Sequence, residues 1–301
     1  MAINTTMIAR ELRPGLAAIV GAYDSYPAQW KEMFDVYESD KASEIEVEMK
    51  FLGNAQIVPE GSPAPIDDMG ERTVTTYTHQ TVMLSFVITL QAMINNLYKS
   101  SFPMASRSLK RSMSNTKEIL GASIFNNGFD PSYPIGDGQP LFSVNHPIDG
   151  GVVANRPVIG SDLTEGSLEQ AIMNIQQFVD VAGLRAQVRP MKLFTDVTGQ
   201  FTAEKLLGSG FVPDNANNAI NPLNTRNYIP KGHFTNQYFT TPGNFMVTTN
   251  APDGFKHYMR FPLTTDVYTD NATNNLSAKA LEMYSFGVTD WRCAWGNGPA
   301  I

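Results

Sequence analysis

The most constraining stretch of the chain is Glu44-Ile45-Glu46-Val47-Glu48-Met49-Lys50-Phe51, in which every second residue is apolar and every other one charged. A period of two marks a strand with one wet face and one dry face. Residues 53–70 follow, and their Pro59, Gly61, Pro63 and Pro65 fit neither a regular helix nor a central strand. A second extended run, Thr73 to Thr89, is rich in β-branched and aromatic residues. Together they predict a long hairpin over residues 43–89 with a loose, acidic tip. Such a hairpin has little core of its own and must lean on something, for which another subunit is a reasonable candidate.

The remainder alternates between periods. Trp30, Met33, Phe34 and Tyr37 recur at helical spacing and predict a short amphipathic helix around 28–38. From Leu90 to Asn127 the pattern is helical again. Pro103 predicts a break, with a second helix capped by Ser100 or Ser101. Its apolar stripe is Leu109, Met113, Thr116, Leu120 and Ile124, with Arg107, Lys110, Arg111 and Lys117 on the other side, and Gly128 ends it. Residues 136–148 read as a tight loop, and Ser167–Ala182 as a helix capped by Thr164, with Leu168, Ile172, Ile175 and Val179 inward. A strand at 191–194 and a helix at 202–207 come next, then an Asn-rich loop at 209–232. Strands are expected at 233–240, 244–249, 255–261, 263–269 and 279–289. Without regular βαβ spacing the fold class is α+β.

Composition narrows the function. At roughly 150 residues per domain, 301 residues make one large or two ordinary domains. Charged residues are 17% of the chain against about a quarter in ordinary globular proteins. That suits a surface covered by neighbours, or simply an uncharged monomer surface. The single Cys293 allows no intrachain disulfide. The first residues show no signal-peptide pattern, and no run reaches the ~20 apolar residues of a membrane span, so a soluble protein made inside the cell is expected. A net charge of −7 sets the chain apart from sequence-independent DNA binders.

Charge is also unevenly placed. Residues 44–71 hold seven acids and Lys50, a sum of −6, whereas 72–117 hold Arg72, Lys99, Arg107, Lys110, Arg111 and Lys117 and no acid, a sum of +6. Either two solvated faces differ in sign, or one surface meets an acidic partner: nucleic acid, an acidic scaffold or the hairpin of a neighbour.

Catalytic patterns are wanting. His79, His146, His233 and His257 show no metal-ligand spacing, and there is no nucleophile elbow, phosphate loop or dinucleotide fingerprint. Cys293 reads as packing. No catalytic, cofactor or metal site is expected. The enzyme alternative would need a site assembled from scattered residues such as His146, Asp149 and Asp196.

The C-terminal stretch Tyr284-Ser285-Phe286-Gly287-Val288-Thr289-Asp290-Trp291-Arg292-Cys293-Ala294-Trp295-Gly296 resembles the closing strand of tailed-phage major capsid proteins of the Mu-type major head subunit family, with its pattern Y-S-x-G-x-x-D-W-R-x-x-Y-G. Three further stretches agree in order. Thr116-Lys117-Glu118 to Asn126-Asn127-Gly128-Phe129 resembles the end of the family's spine helix, and Asp137 to Pro147 its D-G-x-x-L-F-S-x-x-H loop. Arg189 to Leu193 with Ala203 to Leu207 resembles the opening of its axial domain. Trp295 and Cys293 depart from the usual residues. These motifs span about residues 90–301.

The resemblance implies the Hong Kong 97 phage capsid fold: an N-terminal arm (1–42), an extended E-loop hairpin (43–89), a peripheral domain (90–164 and 253–301) with a spine helix, and an axial domain (165–252). It implies a structural protein that assembles into hexamers and pentamers of an icosahedral head around double-stranded DNA, in a virion made in the host bacterial cytoplasm. The inter-subunit face of the hairpin would be Ile45, Val47, Met49 and Phe51, and an inward basic face Arg107, Lys110, Arg111 and Lys117. A portal, a separate scaffold or none, and optionally a decoration protein would be its partners, with DNA contacted non-specifically and no membrane. Some relatives form a Lys–Asn crosslink, but the hairpin offers only Lys50 and no partner for it stands out, so none is expected. The same fold also serves an alternative, an encapsulin-like compartment shell.

Overall fold

The structure is a computed structural model that describes residues 27–95, 98–212 and 219–298, with 98–104 described by backbone alone. Most of the expected arm, residues 1–26, lies outside the described residues. The chain divides into two compact units, each assembled from separated stretches of sequence. The first takes residues up to Ser43, Thr78–Gly121 and His257–Phe286; the second takes Glu44–Tyr77, Ala122–Lys256 and Gly287 onward.

The first unit is built on a four-stranded sheet in the order β1-β10-β11-β4, comprising β1 (Asp35–Glu38), β10 (Phe255–Thr269), β11 (Leu276–Val288) and β4 (Gln80–Ile88). β4 runs antiparallel to β11, with Leu84 opposite Ala280. Two helices follow β4: α1 (Leu90–Ile94), capped by the Thr89 hydroxyl, and α2 (Tyr98–Asn126). The helix begins at Tyr98, so Ser100 and Ser101, expected to cap it, lie inside it, and Pro103 stands beyond its first turn. Leu109 and Met113 of α2 are buried against Ala280, Val82, Phe86 and Leu263. Further along, Glu118, on the side of the helix away from Leu109, is buried too, because the backbone of Gln29 and Trp30 packs on its carboxylate.

The helix expected around 28–38 is one 3-10 turn, Gln29–Glu32, followed by β1. Two of the turn's backbone N–H groups, those of Gln29 and Trp30, donate to the Glu118 carboxylate at 2.8 and 2.9 Å. Trp30 packs on His257 and Phe286, and Phe34 on Phe286. The aromatic spacing thus reports anchoring of a short turn, while Val36 and Tyr37 go to the sheet.

The run Thr73–Thr89, read as one arm of a hairpin, serves two sheets. β2 (Ser43–Lys50) pairs with β3 (Gly70–Thr78) to make the hairpin, and after His79 the chain enters β4 of the other sheet. Pro262 does not divide β10; a proline fits a strand wherever the ladder does not call on its N–H.

The second unit holds the larger core. Its sheet has the order β12-β9-β7-β8: β12 (Ala294–Asn297), β9 (Phe245–Thr249), β7 (Pro190–Thr195) and β8 (His233–Thr235). The last strand therefore joins the sheet of the expected axial residues. A short ladder pairs β5 (His146–Ile148) with β6 (Gly151–Val153). Among its described residues, the α-helices that lie wholly in this unit are α3 (Glu165–Gln176), α4 (Gln200–Gly208) and α5 (Pro222–Thr225). Leu168, Ala171, Ile172 and Ile175 of α3 pack with Leu193, Phe245, Val247 and Trp295. Thr164 caps α3 in a reciprocal box with Ser167. The helix stops six residues before Ala182. Asp180 Oδ1 accepts from the Leu184 N–H and Gly183 sits at φ +83°, so Val179–Arg185 turns back on itself. α5 interrupts the expected 209–232 loop, of which 213–218 lie outside the described residues.

Among the described residues no helix is long and apolar enough to cross a membrane, and no three His, Cys, Asp or Glu side chains gather as for a metal ion.

Candidate assembly surface

The charged face of β2 is the one that packs on the rest of its unit. Glu46 meets Lys256 Nζ at 2.6 Å, and Lys256 also meets Asp253 at 2.7 Å. Thr289 Oγ1 donates to Glu46 Oε2. Two residues on, Glu48 Oε1 pairs with Arg292 Nη1 at 2.9 Å, and Thr73 Oγ1 donates to its other oxygen. Two further on, Lys50 Nζ reaches Asp149 at 2.6 Å. Acid, acid and base on one face thus find base, base and acid opposite, at the period of the strand.

These ions are held firmly. Burial works against the charge of Lys256, but hydrogen bonds to Asp253 and Glu46 outweigh it and hold the ammonium above its ordinary value. Burial raises the Asp290 carboxyl, against the pull of the Arg292 guanidinium 2.9 Å away. Arg292 also donates from Nε to Val179 O and lies over the Trp291 ring. At the hairpin tip, Asp67 accepts from the backbone N–H of Gly53 and Asp68, which hold its carboxyl below the usual range.

The opposite face is open. Ile45, Val47, Met49 and Phe51 are 63, 39, 40 and 61% exposed, and at the tip Ile57 and Ile66 are exposed almost completely. Val47, Met49 and Phe51 are among the residues that line a groove of about 740 Å³, together with Val181, Leu184 and Val188 and with the ion pairs of Glu46 and Glu48. At roughly 25 cal/mol per Å², covering such a face is strongly favourable.

The four basic residues expected on one face of α2 are not equivalent. Arg107 and Arg111 are exposed, but Lys110 is buried. Lys117 is largely covered, pairs with Glu282 at 2.9 Å, and lies over the Trp30 and Tyr284 rings. The expected face therefore shrinks to two arginines, because lysine stems pack well against apolar surface.

The scattered residues of the enzyme alternative serve separate structural ends. His146 is fully buried and stacked on Trp291, with Nδ1 2.6 Å from Asp137 and Nε2 3.1 Å from Asn155 Oδ1. Asn155 Nδ2 in turn donates to Leu141 O and Ala294 O. Asp149 pairs with Lys50, and Asp196 accepts from the N–H groups of Thr198 and Gly199 where α4 begins. His79 lies between the hydroxyls of Ser39 and Ser285, and His233 near Glu204. Cys293 is buried against Gly254, and that burial raises its thiol.

No known family profile matches the sequence, and no curated protein does. Solved structures do match in fold. The virus-like particle from Pyrococcus furiosus is 10% identical, with 96% of this chain and 98% of that chain covered at a TM-score of 0.55. The procapsid of bacteriophage JBD30 is 11% identical, covering 99% and 77% at 0.53. The capsid of the native GTA particle is 11% identical, covering 91% and 90% at 0.57. The likeness runs through both units, hairpin included, and the chain has the Hong Kong 97 type of capsid fold.

Proposed function

We propose that this chain is the subunit of a closed protein shell, and more narrowly a phage major head protein of the Mu-like kind that encloses double-stranded DNA. The observation that carries the reading is the hairpin. A strand whose Glu46, Glu48 and Lys50 are satisfied within its own unit, and whose apolar face is left open, is built to be completed by another copy. Hexamers and pentamers are the assemblies that an icosahedral shell of one subunit requires, and no bound cofactor enters the reading. Arg107 and Arg111 supply an inward contact to DNA or scaffold, and the net charge of −7 keeps that contact weak. Portal, scaffold and decoration protein belong to the phage form of the proposal, as does a virion made in the bacterial cytoplasm.

A cellular compartment shell is the second reading, favoured by the full-length likeness to the Pyrococcus furiosus particle. Expression of the chain, size-exclusion chromatography and negative-stain microscopy test the common part: shells, tubes or free pentamers and hexamers are expected. A chain that stays monomeric with every scaffold candidate added overturns it. The contents of purified particles separate the two forms, packaged duplex supporting a head and a single enriched protein cargo supporting a compartment.

A further inference from the structure

Three connections meet at one end of the second unit's sheet. β7 ends at Thr195 and passes through Asp196 into α4, and Asp162 lies just ahead of the capped start of α3. Gly243 and Asn244 lead into β9, whose Phe245 stands opposite Thr195. A cavity of about 310 Å³ lies among them. It is lined by the carboxylates of Asp162 and Asp196, the hydroxyls of Thr195 and Thr198 and the amide of Asn244, and among the described residues by no Lys, Arg or His. Two of these oxygens have no use inside the fold. Thr195 and Asn244 are 1 and 5% exposed, and neither Thr195 Oγ1 nor Asn244 Oδ1 has a hydrogen-bond partner among the described residues. The Thr195 side chain lies against Gly199, another residue of the cavity wall. Folded proteins rarely leave buried oxygens unpaired, so two in one wall point to an occupant of the space beside them.

We propose that this cavity binds a divalent cation, calcium before magnesium, through Asp162, Thr195 Oγ1 and Asn244 Oδ1. Calcium takes six to eight oxygens in flexible geometry, neutral ones among them, whereas magnesium demands a near-ideal octahedron. Without His or Cys the donor set does not suit zinc or copper. The volume leaves room for several of the ion's own waters, at about 30 Å³ each. Asp196 plays a different part. Its carboxylate accepts from the N–H groups of Thr198 and Gly199, and so balances the positive end of α4 that would otherwise repel a cation. Asp162 then supplies the charge that the ion answers. Its Oδ1 lies 3.0 Å from where a Cβ on residue 243 would stand, and Gly243 sits at φ +80°, so that wall has no room for a side chain. A bound ion would fasten the three connections to one another. The proposal goes beyond the shell reading and does not depend on it.

Calorimetric titration of the full chain with CaCl2, after removal of metals with EDTA, tests it. One site per chain is expected, with a Kd on the order of 10⁻⁴ to 10⁻³ M. Asp162→Asn, at an exposed position, should keep the circular dichroism of the wild type and weaken that binding by ~10-fold or more. Asp270→Asn, in the first unit, should leave it unchanged. No binding by the wild type at concentrations well above that range overturns the proposal. Binding that survives Asp162→Asn overturns it too, since the ion then sits elsewhere. A second arm needs no variant. In hydrogen exchange, peptides spanning 195–199 and 241–245 should slow by ~10-fold in CaCl2 relative to EDTA, while those spanning 43–50 keep their rates. Equal rates in the two buffers at 195–199 and 241–245 overturn the site and leave the shell reading standing.

Discussion

His257 is a buried imidazole: it is 1% exposed, its ring lies 4.4 Å from Trp30 and 4.6 Å from Phe286, and among the described residues neither ring nitrogen has a hydrogen-bond partner. Burial, helped by the Lys117 ammonium, lowers its pKa to about 3. The unfolded chain therefore binds a proton between about pH 6.5 and pH 3 that the folded chain refuses. Stability is full above 6.5 and falls as the pH drops through that window, by a few kcal/mol in order of magnitude. The expected outcome is that His257→Phe flattens this part of the profile while keeping stability at pH 7, as urea midpoints measured at pH 4 and pH 7 would reveal. Lys256 is the opposite case. Lys256→Ala leaves Glu46 and Asp253 facing each other with no cation, and such a loss costs about 3–5 kcal/mol. A clear drop in the urea midpoint of the free subunit is expected, and an unchanged midpoint would count against the pairing.

At the scale of elements, the hairpin separates folding from association. Ile45→Asp with Phe51→Asp alters side chains that are 63 and 61% exposed, so the subunit should unfold within about 0.5 kcal/mol of the wild type. The same variant should form no particles by light scattering; particles at wild-type yield would mean that the apolar face plays no part. The strand itself was plain from its alternation, because a period of two admits no other reading. Which face would turn inward was not, since Lys256 and Arg292 stand more than 200 residues downstream of Glu46 and Glu48. The apolar face was expected to meet another subunit; that the charged face would seat itself on its own unit depends on those distant ions. The same limit appears in α2, whose helical period was legible while the fate of Lys110 and Lys117 was not, because Glu282 and the aromatic rings lie on distant strands. Near Trp30 the spacing was sound, but a carboxylate at Glu118 fixed a single turn where a helix was expected. The Thr164 cap, written beside its helix, was legible, whereas Ser100 and Ser101, expected to cap α2, lie inside it.

For the whole molecule, two large terms oppose each other on assembly: burial of apolar surface, and repulsion between copies that each carry −7. The first strengthens on warming from the cold, because apolar hydration is entropic near room temperature. The second weakens with salt, as the screening length falls from about 30 Å at 0.01 M to about 10 Å at 0.1 M. The critical concentration for particle formation should therefore fall between 5 and 25 °C, and fall again from 0.01 to 0.1 M salt. Static light scattering reads both, and a rise in either series would show that ion pairs between copies dominate. Arg107→Glu with Arg111→Glu belongs at this scale too. Both side chains are exposed, so the subunit should fold and form shells, with less DNA retained in them; wild-type filling would remove the two arginines from any inward role.

The spacing of the three ion pairs along β2 has one more consequence. Since successive side chains alternate, a slip of one residue exchanges the two faces of the strand. Such a subunit would press Ile45, Val47 and Met49 against Lys256, Arg292 and Asp149, and hold Glu46 and Glu48 outward. It would then offer its neighbours two carboxylates where they look for a hydrocarbon surface. The charges that seat the strand therefore also work as a proofreading step, in which a wrongly threaded copy rejects itself from the lattice before it can poison the shell.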